Sequence, residues 1–357
     1  MVLLCVLYMG CKDSITVDEG NLLDIPYNPI AFELEIPVGF PQMVIPEDNP
    51  MTEQGIDLGR RLFYDPILSR DSMISCSTCH LPEGSFTDNL ATSIGVNGAI
   101  GERSSMSLLN VGFTRNGLSW DGHAMTLEEQ ALLPVTNENE FDTEWLEIVK
   151  RLKRSENYPR LFRQAFGIEN TSEISEDLTV KAIAQFERTL ISSGKSKYDR
   201  VESGLDAYTD QELLGRDLFF DDNTDVPDAE CNHCHSVPII TADQYFNNGL
   251  DEALGFDDFD DLGRGAVTGI FADNGKFKAP SLRNILFSAP YMHDGRFETL
   301  REVIEHYNSG GKESMNKDPL LRPLNLTSEQ IDALVAFIST MSDIDFIEDE
   351  RFSNPFK

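Results

Sequence analysis

The sequence predicts a mostly α-helical chain folded as two domains of like design. Three observations predict it. Apolar residues recur at helical spacing along several segments, while strand patterns are sparse. An eight-residue segment occurs twice, as LGRRLFYD (58–65) and LGRDLFFD (214–221). A Cys-x-x-Cys-His motif follows each copy after a polar loop, in SCSTCH (75–80) and ECNHCH (230–235). Paired pieces at similar distance from a rare motif indicate one unit used twice. The 357 residues, 40% of them hydrophobic, suffice for two cores.

Taken in order, the chain opens with MVLLCVLYMGCKDS, apolar to Gly10 and then polar. This reads as the end of an export signal, with Cys11 after a small residue as the candidate lipid-attachment site. The basic flank is missing, the apolar run is short and Tyr8 and Met9 are bulky, so a frayed apolar N-terminus is the competing reading. Residues 1–20 are assigned to leader and linker, 21–203 to the first domain and 204–357 to the second. No other stretch approaches the ~20 apolar residues of a membrane span.

In the repeated segments, Leu58, Leu62 and Phe63, and likewise Leu214, Leu218 and Phe219, form one helical stripe. TEWLEIVKRLKRS (143–155) carries apolar residues at 145, 146, 148, 149 and 152. SEDLTVKAIAQFERTLIS (175–192) starts with polar capping residues and carries Leu178, Ile183, Phe186, Leu190 and Ile191. ISSGKSKYDRVESG (191–204) reads as the domain junction. LDEALGFDDFDDLGRG (250–265) reads as an acid-rich solvated excursion, a cation site being the rarer alternative. TLREVIEHY (299–307) and TSEQIDALVAFISTM (327–341) read as helices, the latter opening with a Thr327-x-x-Gln330 capping box.

Charge narrows the function. The chain has 61 acidic and 29 basic residues, a net charge of −32. Such a polyanion repels nucleic acid and anionic lipid. It suits a basic protein partner or bound cations, although solubility alone explains it more simply.

The four motif cysteines narrow it further. Structural zinc usually draws on converging pairs of ligands, yet these pairs lie over 150 residues apart and each has its own histidine. A thioredoxin-like motif needs no such histidine and expects a βαβ setting. Cys-x-x-Cys-His is the attachment signature of c-type haem: two thiols join the vinyl groups and the histidine ligates iron. Cys76, Cys79, Cys231 and Cys234 are therefore the thioether positions, with His80 and His235 as iron ligands. His233, inside the second motif, reads as a loop residue. A carrier fills the sixth position of both irons, whereas a peroxidase leaves one open.

Together with these motifs, SWDGHAMTLEEQALLPV, FNNGLD, GKFKAPSLRNI and APYMHDGRFETLREVIEHYNSGG give the chain its resemblance to the bacterial di-haem cytochrome c peroxidase superfamily, which includes the MauG-type enzymes. The resemblance runs from about Asp57 to Ser342. It implies two mostly α, cytochrome c-like domains, each binding one covalent c-type haem. The N-terminal haem is then the peroxide site and the C-terminal haem relays electrons.

The resemblance places Trp120 between the haems; without it, one of only two tryptophans reads as core. It places the peroxide-side glutamine, proline and glutamate on Gln130, Pro134 and Glu140. Glu140 is then the acid–base group, with Glu138 the alternative if the loop register slips. Many members cap the peroxide haem with a histidine sixteen residues after the haem histidine, where this chain has Val96. Valine cannot ligate iron, so an open site at rest is expected. His123 reads as a position beside Trp120. Fourteen residues after His293, where many members carry methionine and MauG-type members tyrosine, stands Tyr307. His306 points about 100° away around the same helix and is the alternative. Met292 and Met315 are weaker ones. A calcium ion between the domains is implied at Ser104, Ser288 and Pro290, weakened because a serine hydroxyl replaces an asparagine amide.

The expectation is a periplasmic, lipid-anchored or free, di-haem peroxidase with two covalent haem c groups and one calcium ion. It reduces hydrogen peroxide with electrons from a small redox protein. A MauG-type oxidase acting on a protein substrate and a non-enzymatic carrier are the alternatives. Members are often dimers, but no apolar stripe marks an interface.

Overall fold

The structure is a computed structural model that describes residues 20–357. The leader, with Cys5 and Cys11, lies outside the described residues. The helices in chain order are α1 (Glu53–Tyr64), α2 (Cys76–Cys79), α3 (Leu127–Thr136), α4 (Trp145–Arg154), α5 (Tyr158–Phe166), α6 (Glu176–Glu187) and α7 (Lys197–Glu202). They continue as α8 (Asp210–Phe220), α9 (Cys231–Cys234), α10 (Arg264–Thr268), α11 (Leu300–Ser309), α12 (Ser328–Ser339) and α13 (Ile344–Ile347). One antiparallel pair, β1 (Tyr245–Phe246) and β2 (Phe277–Lys278), sets Tyr245 opposite Lys278. The mostly α expectation holds.

The helices start where the capping chemistry places them. Thr52, Ser175, Thr209, Thr299 and Thr327 accept backbone N–H groups at the heads of α1, α6, α8, α11 and α12. Each such cap contributes about 1 kcal/mol.

The duplicated segment marks a duplicated helix crossing. α1 crosses α6 at Gly59, where a Cβ would lie 1.9 Å from the Ala182 carbonyl oxygen. α8 crosses α12 at Gly215, where a Cβ would lie 1.9 Å from the Ala333 carbonyl oxygen. Around the first crossing, Leu58, Leu62, Ile148, Leu152, Phe162 and Ile183 form one core. Around the second, Leu218, Phe219, Ile304, Leu334, Phe337 and Met341 form another.

The cores exchange chain at their edges. Tyr198 of α7 packs into the second core. Phe346 and Phe352, near the C-terminus, join Phe63, Phe86 and Phe186 of the first half. The segment 191–204, read as the domain junction, contains a helix. A Ser196–Asp199 capping box forms α7, and Arg283 grips the Asp199 carboxylate at 2.9 and 3.1 Å.

The acid-rich excursion is also docked rather than solvated. Asp261 accepts two bonds from Arg103 at 2.7 and 2.8 Å, and Phe259 is buried. A buried apolar ring and a two-pronged ion pair outweigh the solvation that the surrounding aspartates would favour.

Candidate active site

Each cysteine motif forms one helical turn. A Ser75–Thr78 capping box opens α2, and the Cys76 carbonyl accepts the His80 N–H at 3.0 Å. The Cys231 carbonyl accepts the His235 N–H at the same distance. One turn brings cysteines three residues apart onto one face.

Each motif histidine has Nδ1 tied to a backbone carbonyl. His80 Nδ1 lies 2.8 Å from the Phe86 carbonyl oxygen, and His235 Nδ1 lies 3.1 Å from that of Pro280. A carbonyl only accepts, so Nδ1 carries the proton and the Nε2 lone pair is left for a metal. Burial lowers both imidazole pKa values, that of His235 to about 4, which keeps them neutral.

Both motifs open onto one cavity of about 1140 Å³. Small-ligand pockets run to about 1,000 Å³. The four cysteines form no disulfide. Two cysteine pairs, two neutral imidazoles and this volume fit two covalently held haem groups.

On the first-motif side, Gln130 and Pro134 of α3 and the following Glu140 line the cavity. Ser119 Oγ donates to Gln130 Oε1 at 2.9 Å, which leaves the amide N–H₂ to point elsewhere. Burial pushes the Glu140 pKa up, opposed by the 2.7 Å bond from Asn137 and by His123. Glu138 is exposed and outside the lining. Val96 is buried, and its N–H binds the Glu140 carbonyl at 2.9 Å. Its side chain does not line the cavity, whereas Gly95 does.

Trp120 also lines the cavity, held by groups from both halves of the chain. Its indole N–H donates to the Ser104 carbonyl at 2.9 Å, and its own carbonyl accepts from Lys278 N at 2.8 Å. His293 meets its ring edge-on at 6.5 Å and stacks on Phe277 at 3.6 Å. His123 turns to Asp121, with Nδ1 2.6 Å from the carboxylate.

On the second-motif side, Tyr307 and Met292 reach the cavity. Asn248 Nδ2 stands 3.4 Å from both the tyrosine oxygen and the Met292 sulfur. Burial pushes the Tyr307 hydroxyl up to about 12. His306 is turned away, its Nε2 2.8 Å from the Asn248 carbonyl. Met315 is 56% exposed and outside the lining.

Ser104, Ser288 and Pro290 also line the cavity. Ser104 Oγ donates to the Met292 carbonyl at 2.9 Å. Its remaining lone pairs and the Ser288 and Pro290 carbonyls could hold a cation. His233 is not in a loop: it sits on α9, exposed, 3.1 Å from Glu230. A one-turn helix through the whole motif is what the cysteine spacing requires.

Among the cavity residues without a sequence assignment, two carry polar groups near the motifs. Asn248 lies within the quoted FNNGLD, and Glu187 is the last residue of α6, in FERTL (186–190). A glutamate at the apolar end of an amphipathic helix was the available signal for the second.

The family model described as di-haem cytochrome c peroxidase matches residues 53–207 and 209–348. The methylamine utilization protein MauG of Methylophilus methylotrophus is 36% identical over 301 residues, covering 83% of this chain and 84% of that protein. The cytochrome c551 peroxidase of Nitrosomonas europaea is 34% identical over 304 residues, covering 84% and 82%. The crystal structure of a MauG-like protein associated with microbial copper homeostasis superposes with a TM-score of 0.84 at 35% identity, covering 92% of this chain and 100% of that one.

Proposed function

The chain belongs to the di-haem cytochrome c peroxidase family, and from that premise we propose that it is a MauG-type oxidase, using peroxide to oxidise side chains of a protein substrate. One observation carries this reading: Tyr307 stands in the cavity beside the second motif, while Val96 is packed away from the first. The MauG relatives and the copper-associated MauG-like structure support it.

Cys76 and Cys79 would hold one haem and Cys231 and Cys234 the other, with His80 and His235 as their iron ligands and Tyr307 as a further ligand to the second. When bound, the haems supply iron that takes up peroxide and the oxidising equivalents it yields. Glu140 takes the proton from the inner peroxide oxygen and returns it to the outer one. Its burial suits it, because desolvation raises the pKa of the carboxyl and so eases its taking up a proton. Gln130, its oxygen held by Ser119, offers its N–H₂ to peroxide. Pro134 adds an apolar wall that excludes water. Trp120 conducts electrons between the halves, its ring fixed by Ser104 and His293. Ser104, Ser288 and Pro290 would hold a calcium ion, more weakly than an asparagine-bearing site, since a hydroxyl is a poorer ligand than an amide carbonyl.

A second reading keeps the scaffold and changes the reductant. The peroxidase relatives favour reduction of peroxide to water with electrons from a small redox protein. The net charge of −32 would steer a basic donor. Both readings suit a periplasmic protein, free or tethered through Cys11. No helix among the described residues is long and apolar enough to cross a membrane.

The test is the electron paramagnetic resonance spectrum of the resting ferric protein, before and after one equivalent of peroxide. A high-spin signal lost on peroxide, beside a low-spin one, is expected. Two low-spin signals indifferent to peroxide would overturn an open site and favour a carrier. Mass change on a partner protein, against turnover with a reduced cytochrome, separates the two enzymatic readings.

A further inference from the structure

Leu254, Val267, Ile270, Phe271 and Met315 are large apolar side chains left exposed on the second half of the chain, Leu254 by 68% and Phe271 by 65%. Backbone bonds gather the segments that carry them. Ala253 and Ser314 form a parallel bridge, and the Met315 N–H donates to the Ala253 carbonyl at 2.8 Å, which places Met315 next to Leu254. Asn316 follows, and its Nδ2 donates to the carbonyls of Ala272 and Asn274 at 3.0 and 2.7 Å. That draws in the turn of Ile270 and Phe271, into which α10 with Val267 runs.

This face is built rather than frayed. Thr268 Oγ1 and Lys276 Nζ both bond Asp273 at 3.0 Å, and buried Asn274 donates to the Phe256 carbonyl at 2.9 Å. Apolar side chains held in water on a fixed face with a polar rim mark a protein contact. The rim here is acidic. Glu252, Asp257, Asp258, Asp260 and Glu313 are exposed. Arg264 is the one base in residues 250–271, and it turns inward to the carbonyls of Asp121 and Gly122, both at 2.9 Å. Lys276 and Lys317 are paired with Asp273 and Glu313, at 3.0 and 2.8 Å, while Lys312 stays exposed. Such a rim attracts a basic partner and repels a second copy of itself or an anionic lipid surface.

The face is also braced against the cavity wall. Arg264 opens α10 and grips the backbone just after Trp120, and Arg103 joins Asp261 of the same excursion to Asp121. A protein seated on it therefore rests against the stretch that carries Trp120.

We propose that this face docks a basic protein, the one that the haems oxidise, through an apolar centre around Phe271 and the acidic rim. This rests on the peroxide-using reading of the site and gives its protein partner a place and a charge. The apolar centre holds the complex together and the rim speeds encounter.

The test uses the haem-loaded protein and a small basic cytochrome c as probe. Titration calorimetry at low ionic strength reads binding of the oxidised probe. With the reduced probe, two molecules give one electron each to one peroxide, solvent gives two protons, and two waters form. Ile270→Ser with Phe271→Ser should weaken binding about 10-fold and raise the KM for the probe alike, with the reaction of the haems with peroxide unchanged. Glu252→Gln, Asp257→Asn and Asp260→Asn together should slow association about 10-fold at low salt and flatten its salt dependence. Glu144→Gln, Glu156→Gln and Glu169→Gln, which remove as many exposed acids from the first half, should change it far less. Equal losses from the two triple variants, or binding indifferent to the serine pair, would overturn the site. A wild type that binds no basic probe would overturn the choice of partner. A dimer in sedimentation, or adsorption to phosphatidylcholine vesicles, that the serine pair abolishes would make a second copy or a membrane the occupant and overturn it too. A wild type that binds the probe but whose haems ignore peroxide would overturn the reading of the site, and with it the partner's role as reductant.

Discussion

Glu140 and Glu187 are both glutamates that burial drives toward the neutral form, yet they keep different company. Asn137 donates to Glu140 and stabilises its charged form, so that carboxyl can cycle. Glu140→Gln should slow the reaction with peroxide by roughly 10²- to 10⁴-fold, read by stopped-flow absorbance, with the resting haem spectrum unchanged. An unaffected rate would move the acid–base role to another group. Tyr307 makes a separate claim. Tyr307→Phe removes the oxygen and keeps the ring, so the low-spin signal should change while the high-spin signal stays. Met292 also reaches the cavity, and a spectrum indifferent to Tyr307→Phe would favour its sulfur as ligand.

The helix crossings set a contest between two effects. Alanine is a better helix former than glycine by about 1 kcal/mol. At Gly59 and Gly215, however, its Cβ would press on a backbone carbonyl that cannot swing aside. Overpacking costs about 1–3 kcal/mol, so the clash wins or at best cancels the gain. Gly59→Ala and Gly215→Ala should each lower the thermal midpoint, and a rise at either would show that the helices can part. Phe346 belongs to the same scale. It is 1% exposed and fills the aromatic cluster of the first half. Phe346→Ala should cost about 3–5 kcal/mol in urea unfolding, a local loss in the first half from a residue near the other end of the chain.

Across the whole molecule, the Arg103 clamp ties the halves together. It bonds Asp121 at 2.7 Å beside Trp120, and Asp261 in the docked excursion. Burial would raise the Asp121 pKa, but bonds from His123 and Arg103 prevail and lower it from 3.8 to about 2. A lowered folded pKa means stability that is present above pH 3.8 and lost as pH falls through about 2. The shift corresponds to about 2 kcal/mol. Asp121→Asn should therefore destabilise the protein near neutrality, and its deficit against wild type should shrink over that acid window. A deficit constant with pH would mean that packing, not charge, carries the contact.

The sequence by itself determined helices α1, α4, α6, α8, α11 and α12, the capping box at Thr327 and both cysteine motifs, because these are local: period, capping box and three-residue spacing need only neighbours along the chain. It also singled out Tyr307 and Glu140, but only with His306 and Glu138 still in contention. Only the tertiary structure shows that Tyr307 and Glu140 line the cavity while His306 and Glu138 do not, since which of two nearby side chains faces a cavity depends on how the helix or loop is seated. The same holds for Glu187, whose Oε2 has no hydrogen-bond partner among the described residues because Arg188 is taken by Glu128 on another helix. The excursion at 250–265 makes the converse point. Its aspartates favour water locally, and only a distant arginine brings one of them inside. Burial and partner choice are properties of packing, and packing joins residues that the sequence keeps far apart.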